Sequence, residues 1–539
     1  MSLLRSTFAF SAMTLVSRVL GLARDVVLAS WFGASRATDA FFVAFKIPNF
    51  LRRLFAEGSF SLAFVPVLSE YRERADHAAL KSLIDATAGC MIAVLLGLTA
   101  VGVLAAPMLI TVFAPGFADQ PEQQHLAGEM LRVTFPYLLF VALTALAGGI
   151  LNSLGRFAIP ALTPALLNVS LIVAAVAFSS HFDEPVKALA WGVLAAGILQ
   201  LAVQLPVLAR HGVLPIPRPD FAHPGVRRIL KLMVPTLFGS SVAQINLLFD
   251  VLIASLLVEA SISWLYYGDR LMEFPLGLFG VALSVVILPT LSSQHARASS
   301  ADFRATLNWA VTLGWLIALP AAVGLAVLAG PIAATLFGYG AFGAEDVRMT
   351  SLALTAYCAG LPAFIGVKIL APGFYARQNT RTPVRIAVIA LAANMGLNIV
   401  FVLALTAWLA GGRFDDGLFA ALAAHPGAHV GLAAASSAAA WLNAGLLWRH
   451  LALDGLRPRP MSRAMTLAPL AAAAMGAAVL LLAPVGEHWL EWSLATRLGW
   501  LAAMVALGAA IYAAVLRIGG LRPGQLMRPE TPDAAEPPR

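Results

Sequence analysis

The chain has 539 residues, of which 60% are hydrophobic and 12% are charged, and its formal net charge is +8. Its mean hydropathy is +0.82, whereas soluble domains carry about 25% charged residues. So few charges cannot cover the surface of a soluble multidomain protein, and two cysteines exclude a disulfide scaffold. The sequence therefore predicts an all-α polytopic membrane protein.

Apolar runs between proline, glycine and charged clusters predict about 14 transmembrane helices, each with the roughly 20 residues that a bilayer requires. The predicted spans lie near residues 6–31, 38–70, 82–112, 127–152, 158–180, 188–208, 232–257, 262–292, 305–335, 349–376, 386–410, 418–448, 464–484 and 493–516. They predict an N-terminal six-helix lobe (1–215), a C-terminal six-helix lobe (225–448), an extra helix pair (460–517) and a cytoplasmic tail (518–539).

The distribution of positive charge predicts the orientation of these spans. Of the 36 Lys and Arg residues, 23 lie on the side of the N-terminus, five on the opposite side and eight within spans. The positive-inside rule therefore places both termini in the cytoplasm. Because topology explains the basic charge, we expect contact with membrane lipids and no nucleic-acid partner.

An internal repeat relates the two predicted lobes. The segments 65–69 (VPVLS) and 288–292 (LPTLS) are 223 residues apart, and Pro160 and Pro383 have the same separation. An offset of six spans preserves orientation, so the repeat predicts two parallel lobes. Transporters built in this way hold substrate between their halves near the membrane midplane.

The first predicted span carries charges inside an apolar run. Arg18 and Asp25 fall on one helical face, and Arg24 lies beside it. A charge at the centre of a transmembrane helix costs about 2.5–3.5 kcal/mol on insertion scales. These side chains must therefore pair, reach an interface or face a polar interior.

The second predicted span carries a longer charged stripe. Asp39, Lys46 and Arg53 recur every seven residues, Arg52 lies about 100° from them around the helix, and Glu57 follows Arg53 at i+4. One interpretation is that acids neutralise bases to stabilise a polar bundle. The other is an anion site, because an arginine fork suits phosphate oxygens.

The eighth predicted span is the repeat-mate of the second and is charged as well. Ser263 and Arg270 are seven residues apart, Glu273 follows Arg270 at i+3, and Asp269 is adjacent. Arginines from three helices around one cavity would suit a diphosphate.

A second set of polar residues lies on the seventh and eleventh spans. Asp250 is deep in the seventh, and Asn394 and Asn398 are one turn apart on the eleventh. Carboxylate and amide oxygens are ligands for hard cations, so these residues predict a cation site. The alternative is hydrogen-bonded helix packing.

Enzyme motifs do not occur in the sequence. It contains no HExxH, no P-loop GxxxxGK[ST] and no DxD in a predicted cytoplasmic loop. We therefore expect a transporter without a cofactor, driven by Na⁺ or by the membrane potential.

Four long motifs resemble the MurJ (MviN) family. They are SRVLGLARD at 17–25, ATDAFFVAFKIPNFLRRLFAEG at 37–58, YYGDRLMEFP at 266–275 and LAPGFYARQ at 370–378. The resemblance runs through about residue 450 and is looser over the last two spans. It implies a lipid II flippase of the bacterial inner membrane, in the multidrug/oligosaccharidyl-lipid/polysaccharide exporter superfamily. Such proteins export the undecaprenyl-diphosphate disaccharide-pentapeptide for peptidoglycan synthesis and cell shape, which implies contact with the cell-wall synthesis machinery.

The resemblance also implies roles for individual residues. The family's cavity positions correspond to Arg18, Arg24, Arg52, Arg270, Asp39 and Ser263. The charges that support them would be Asp25, Lys46, Arg53, Glu57, Asp269 and Glu273. Some members bind sodium between the seventh and eleventh helices, where Asp250, Asn394 and Asn398 lie here, and the last two helices form a groove for the lipid tail. The alternative function is export of another polyprenyl-diphosphate-linked oligosaccharide.

Overall fold

The computed structural model describes residues 3–53, 60–74, 76–412, 415, 417–484 and 489–521. Within these ranges the chain forms helices joined by short connections, with no strand. Among the described residues, ten helical stretches are long and apolar enough to cross a membrane, and three of them (Pro121–Ser153, Ala158–His181 and Ser261–Ala296) join helices or turns that are named separately below. An eleventh results if two helices that meet at 42°, Ala344–Cys358 and Leu361–Tyr375, form one broken span. The all-α membrane class is confirmed, and the number of 14 spans stays a prediction.

Packing divides the chain into two units. The first comprises Met1–Ser263 with Gly340–Phe342, and the second Trp264–Tyr339 with Gly343–Arg539. The helices of the first unit are α1 (Leu3–Phe32), α2 (Arg36–Arg52), α3 (Ser61–Arg74), α4 (His77–Leu104), α5 (Ala106–Phe113), α6 (Pro121–Thr134), α7 (Tyr137–Ser153), α8 (Ala158–Val173), α9 (Lys187–Arg210) and α10 (Pro224–Ser255). Short 3₁₀ or π turns occur at Pro115–Asp119, Ala174–Phe178 and Ser179–His181.

The second unit begins inside a helix, since α11 (Ser261–Pro275) starts in the first unit and continues in the second. The helices that follow are α12 (Val281–Ala296), α13 (Ser300–Val327), α14 (Ala329–Leu336), α15 (Ala344–Cys358), α16 (Leu361–Tyr375), α17 (Arg381–Leu409), α18 (Leu418–Ala424), α19 (Val430–Leu453), α20 (Ser462–Leu482) and α21 (Leu494–Ile518). The last two, α20 and α21, pack on each other and on α13.

One predicted span has a different boundary in the structure. The twelfth, predicted at 418–448, begins at Val430, because Pro426 lacks a backbone N–H and Gly427 has a φ of +111°. The eighth, predicted at 262–292, corresponds to one helical stretch from Ser261 to Ala296, which becomes a π turn over Leu276–Gly280 before α12 continues.

The connection between α9 and α10 is fixed along α4. The Asp85 carboxylate accepts a hydrogen bond from the backbone N of Ile216 at 2.7 Å and also pairs with Lys81. The backbone N of Arg218 donates to the Asp85 carbonyl at 3.2 Å. A Cβ at Gly89 would lie 2.3 Å from the Arg218 carbonyl carbon, so only glycine lets the two backbones approach this closely. Asp85 therefore anchors the connection.

A short segment of the α14–α15 connection packs within the first unit. The backbone N of Ala341 donates to the carbonyl of Ser30 at 2.9 Å. Gly33 has a φ of +62°, and a Cβ there would lie 2.5 Å from the Ala341 carbonyl oxygen. The end of α1 thus depends on a glycine to accept this segment.

Candidate functional site

Arg24 is the most enclosed of the predicted site arginines in the first unit. It lies on α1 and is 6% exposed. Its Nε and Nη2 donate to Asp25 Oδ1 at 2.9 and 2.6 Å, and its Nη1 donates to Asn168 Oδ1 on α8 at 3.1 Å. Asn168 Nδ2 in turn donates to the Ser17 carbonyl at 3.1 Å. Because the guanidinium is a rigid planar fork, these bonds fix its orientation.

Arg24 and Arg18 therefore have different environments on the same helix. Asp25 is completely buried and forms an ion pair with Arg24. For Arg24, the structure therefore agrees with the interpretation in which acids neutralise bases. Arg18, six residues earlier, is exposed. The structure thus offers one arginine held by a counter-ion and one whose side chain is accessible.

The other predicted basic residues of the first unit lie on α2 or, for Arg53, directly after it. Lys46, Arg52 and Arg53 are half-buried, and Arg52 Nε donates to Asn49 Oδ1 one turn earlier at 2.8 Å. Glu57, the predicted partner of Arg53, lies outside the described residues. The helix places these basic groups toward its C-terminal half and Asp39 near its start.

Asp39 and Ser263, predicted as site residues 224 positions apart, are in direct contact. Asp39 Oδ1 accepts from the Ser263 backbone N at 2.8 Å and from Ser263 Oγ at 2.5 Å, and both residues are buried. Ser263 is the third residue of α11, where backbone N–H groups have no partner within the helix. A carboxylate is favourable at that position, so Asp39 caps α11.

Removing the Ser263 hydroxyl tests this cap. Ser263→Ala takes one donor from a buried carboxylate and should lower the free energy of unfolding by about 1–3 kcal/mol. Asp39→Asn should destabilise as well, and the two changes together should be less than additive because they act on one contact. Thermal unfolding of the purified protein in detergent measures these effects.

Ser261 provides the matched control. It is buried two residues earlier on α11, and its hydroxyl has no hydrogen-bond partner in the part of the chain that the structure describes. Ser261→Ala should therefore leave stability nearly unchanged. Equal effects of the Ser261 and Ser263 changes would contradict the capping role of Asp39.

The start of α2 meets the start of α11 at a second point. Arg36 Nε forms an ion pair with Glu259, which precedes α11. The two residues are 223 positions apart, the same separation that relates the repeated sequence segments. The pair is a second contact, beside that of Asp39 with Ser263, between the starts of α2 and α11, and the repeat stays a prediction.

In the second unit, Arg270 lies on α11 and its Nη1 donates to Glu273 Oε2 at 3.0 Å. The two residues are one turn apart and partly exposed, as predicted from their i,i+3 spacing. Asp269 is half-buried on the same turn. Arg270 therefore has an acidic neighbour that does not enclose it.

The predicted cation ligands belong to different units. Asp250 lies on α10 in the first unit, where its Oδ2 accepts from Asn246 Nδ2 at 3.3 Å. Asn394 and Asn398 lie on α17 in the second unit and are buried. Among the described residues, no three His, Cys, Asp or Glu side chains are grouped so that they could hold a metal. The cation site stays a prediction.

Several polar residues were not predicted as functional from the sequence. Asn168, which orients Arg24, is one of them. Arg497, at the start of α21, donates from all three nitrogens to four carbonyls, those of Ala334, Gly338, Leu490 and Trp492, at 2.7 to 3.1 Å. Counting positive charge treated Arg497 as a residue of the outer side, and no local pattern marks it as buried.

Comparison with known proteins points to one family. The family model described as lipid II flippase MurJ matches residues 28–498. A Vibrio cholerae protein named probable lipid II flippase MurJ is 44% identical over 529 residues, covering 96% of this chain and 97% of that protein.

Solved structures give the same result. A structure titled lipid II flippase MurJ, inward closed conformation, superposes with a TM-score of 0.77 at 27% identity, covering 94% of this chain and 98% of the other. An inward-facing multidrug resistance MATE transporter of the MOP superfamily superposes with a TM-score of 0.62 at 15% identity, covering 83% of this chain and 98% of the other. The second match concerns the fold alone.

Proposed function

The chain belongs to the lipid II flippase MurJ family, and from that premise we propose that it moves lipid II from the inner to the outer leaflet of the bacterial inner membrane. The family match over residues 28–498 carries the proposal. The apolar helices agree with a multi-pass membrane protein. In this proposal the chain is a transporter and not an enzyme.

The basic side chains on the apolar helices are proposed to bind the diphosphate of the substrate. The residues proposed to do so are Arg18, Arg24, Arg52 and Arg270. The support is chemical: arginine presents paired donors to phosphate oxygens, and a cation on a transmembrane helix is costly unless it has a partner. Asp39 and Ser263 contribute indirectly, since their hydrogen bonds hold the start of α11.

A reconstituted flipping assay tests the function. Fluorescent lipid II in the inner leaflet of proteoliposomes should become accessible to an external quencher, and protein-free vesicles should show no change. Excess unlabelled lipid II should compete. Stronger competition by another undecaprenyl-diphosphate oligosaccharide would favour the alternative, an exporter of that glycan.

We further propose that transport depends on the membrane potential. Substrate and basic side chains carry charge, and moving one charge across the membrane changes its free energy by about 2.3 kcal/mol per 100 mV. A potassium-diffusion potential across proteoliposomes should therefore change the flipping rate at equal Na⁺ on both sides. A rate that ignores the potential and follows an imposed Na⁺ gradient would contradict this proposal and support a cation site at Asp250, Asn394 and Asn398.

Orientation and partners complete the proposal. Both termini are placed in the cytoplasm, which is supported by the 23 basic residues on that side. Lipid II delivered to the outer leaflet would be consumed by the cell-wall synthesis machinery, which is the expected functional partner.

A further inference from the structure

A cleft in the first unit has no part in the proposed handling of substrate. It has a volume of about 110 Å³ and lies between α4, α7, the start of α10 and the connection that precedes α10. Representative lining residues are Thr87, Cys90, Val94, Phe221, Leu230 and Met233. Val94, Phe221 and Leu230 are exposed, so the cleft is open at the apolar surface of the helices.

One polar group interrupts the apolar wall. Thr87 is 5% exposed, and within the described ranges its hydroxyl has no hydrogen-bond partner. A buried hydroxyl without a partner costs free energy, although a helical threonine can bond the carbonyl four residues earlier. The cleft therefore presents an unused donor that an acceptor on a ligand would satisfy.

Exposed basic side chains lie next to lining residues of the cleft on α10 and on the connection before it. Arg227 and Lys231 are exposed on α10, about 60° and 100° around the helix from Leu230, and Arg218 is exposed on the preceding connection. None of these three forms an ion pair with another described residue, whereas the neighbouring Arg228 pairs with Glu70 at 2.7 Å.

An acid also lies at the opening, but its carboxylate is engaged. Asp220 Oδ1 accepts hydrogen bonds from the backbone N of Ala222 at 2.9 Å and of His223 at 3.1 Å. Three cations and one acid leave a net positive charge at the opening. Anionic lipid headgroups are attracted to such clusters beside a membrane.

We propose that the cleft binds an anionic membrane phospholipid. One acyl chain occupies the apolar cleft, the phosphate lies against Arg227 and Lys231, and an ester carbonyl accepts from the Thr87 hydroxyl. A zwitterionic lipid would fill the cleft without using the net positive charge at its opening. The site is separate from the residues proposed to bind the substrate diphosphate, and its test does not require transport.

Photocrosslinking in nanodiscs tests the site with the full-length protein. Phosphatidylglycerol with a diazirine on its acyl chain is added to phosphatidylcholine nanodiscs, and crosslinked peptides are located by mass spectrometry. We expect labelling in residues 87–95 and 221–233, with competition by unlabelled phosphatidylglycerol and not by further phosphatidylcholine. The double variant Arg227→Gln, Lys231→Gln changes exposed residues and should lower the preference for the anionic lipid roughly 25-fold, about fivefold per charge.

A bulky residue in the cleft provides the second test. Val94→Trp, at a position that is 56% exposed, should block labelling of both segments. Val101→Trp is the matched control, since Val101 is 62% exposed on nearly the same face of α4, two turns away, and does not line the cleft. Equal labelling by anionic and zwitterionic probes, or unchanged labelling in Val94→Trp, would overturn the proposal. Competition by lipid II and not by phosphatidylglycerol would assign the cleft to the substrate chain and overturn it too.

Discussion

Replacing Arg24 with glutamine should both destabilise the protein and abolish transport. Asp25 is fully buried, and removing the guanidinium takes away the counter-ion with which it pairs at 2.6 Å, which costs about 3–5 kcal/mol. If Arg24 also donates two charge-assisted hydrogen bonds to the diphosphate, at about 1.5–3 kcal/mol each, transport should fall at least about 100-fold. Thermal unfolding and the flipping assay measure the two effects separately.

The double variant Arg24→Gln, Asp25→Asn separates substrate binding from pairing. Removing both charges eliminates the buried carboxylate, so stability should return close to that of the unmodified protein. Transport should remain low because the guanidinium is still missing. Full transport in the double variant would show that Arg24 serves only as the counter-ion of Asp25, and would refute its proposed contact with substrate.

Asn168→Leu extends the test to the residue that orients Arg24. The hydrogen bond between Arg24 Nη1 and Asn168 Oδ1 ties α1 to α8, but Asn168 carries no charge. This change should therefore preserve the ion pair with Asp25 and reduce transport less than removal of the guanidinium.

The sequence was informative where chemistry repeats at regular spacing. Low charge and long apolar runs predicted the membrane class, which the long apolar helices confirm. Asp39 and Ser263 were placed in one site through a family resemblance, and they are in contact. The helical period also placed Glu273 beside Arg270. Each of these inferences rests on the composition of a segment, on helical spacing or on a motif.

Contacts between distant helices could not be predicted in this way. The bond between Arg24 and Asn168 joins residues 144 positions apart, and nothing around Asn168 differs from an ordinary apolar helix. In the sequence Asp85 is likewise only a single acid near the start of a helix, although in the structure it anchors the connection between α9 and α10 along α4. Hydropathy identifies the segments that can cross a membrane, but the partner of a polar side chain is set by which helices pack together.

The partners of Arg497 could not be predicted from the sequence either. Replacing Arg497 should lower the stability of the protein about as much as replacing Arg24. Its guanidinium donates to four carbonyls and lies 4.7 Å from the centre of the Tyr339 ring. These carbonyls belong to α14 and to the connections beside it and before α21, so Arg497 holds the start of α21 against α14. Arg497→Ala removes four hydrogen bonds, although the Ala334 carbonyl keeps the backbone N of Gly338 as a donor. At about 1–3 kcal/mol for each carbonyl left without a donor, the change should lower the free energy of unfolding by about 3–5 kcal/mol.

The expected loss is local, and tryptophan fluorescence can report it. Trp489, Trp492 and Trp500 lie together beside this arginine, with ring centres 5.3 and 6.1 Å apart. In Arg497→Ala we expect stronger quenching of tryptophan by acrylamide, a lower melting temperature and slower flipping if α20 and α21 guide the lipid tail. Arg517→Ala is the control, because Arg517 lies on α21 without a side-chain hydrogen bond to any described residue. Equal behaviour of the two variants would show that the carbonyl contacts of Arg497 do not hold the helix, because loss of one positive charge is common to both.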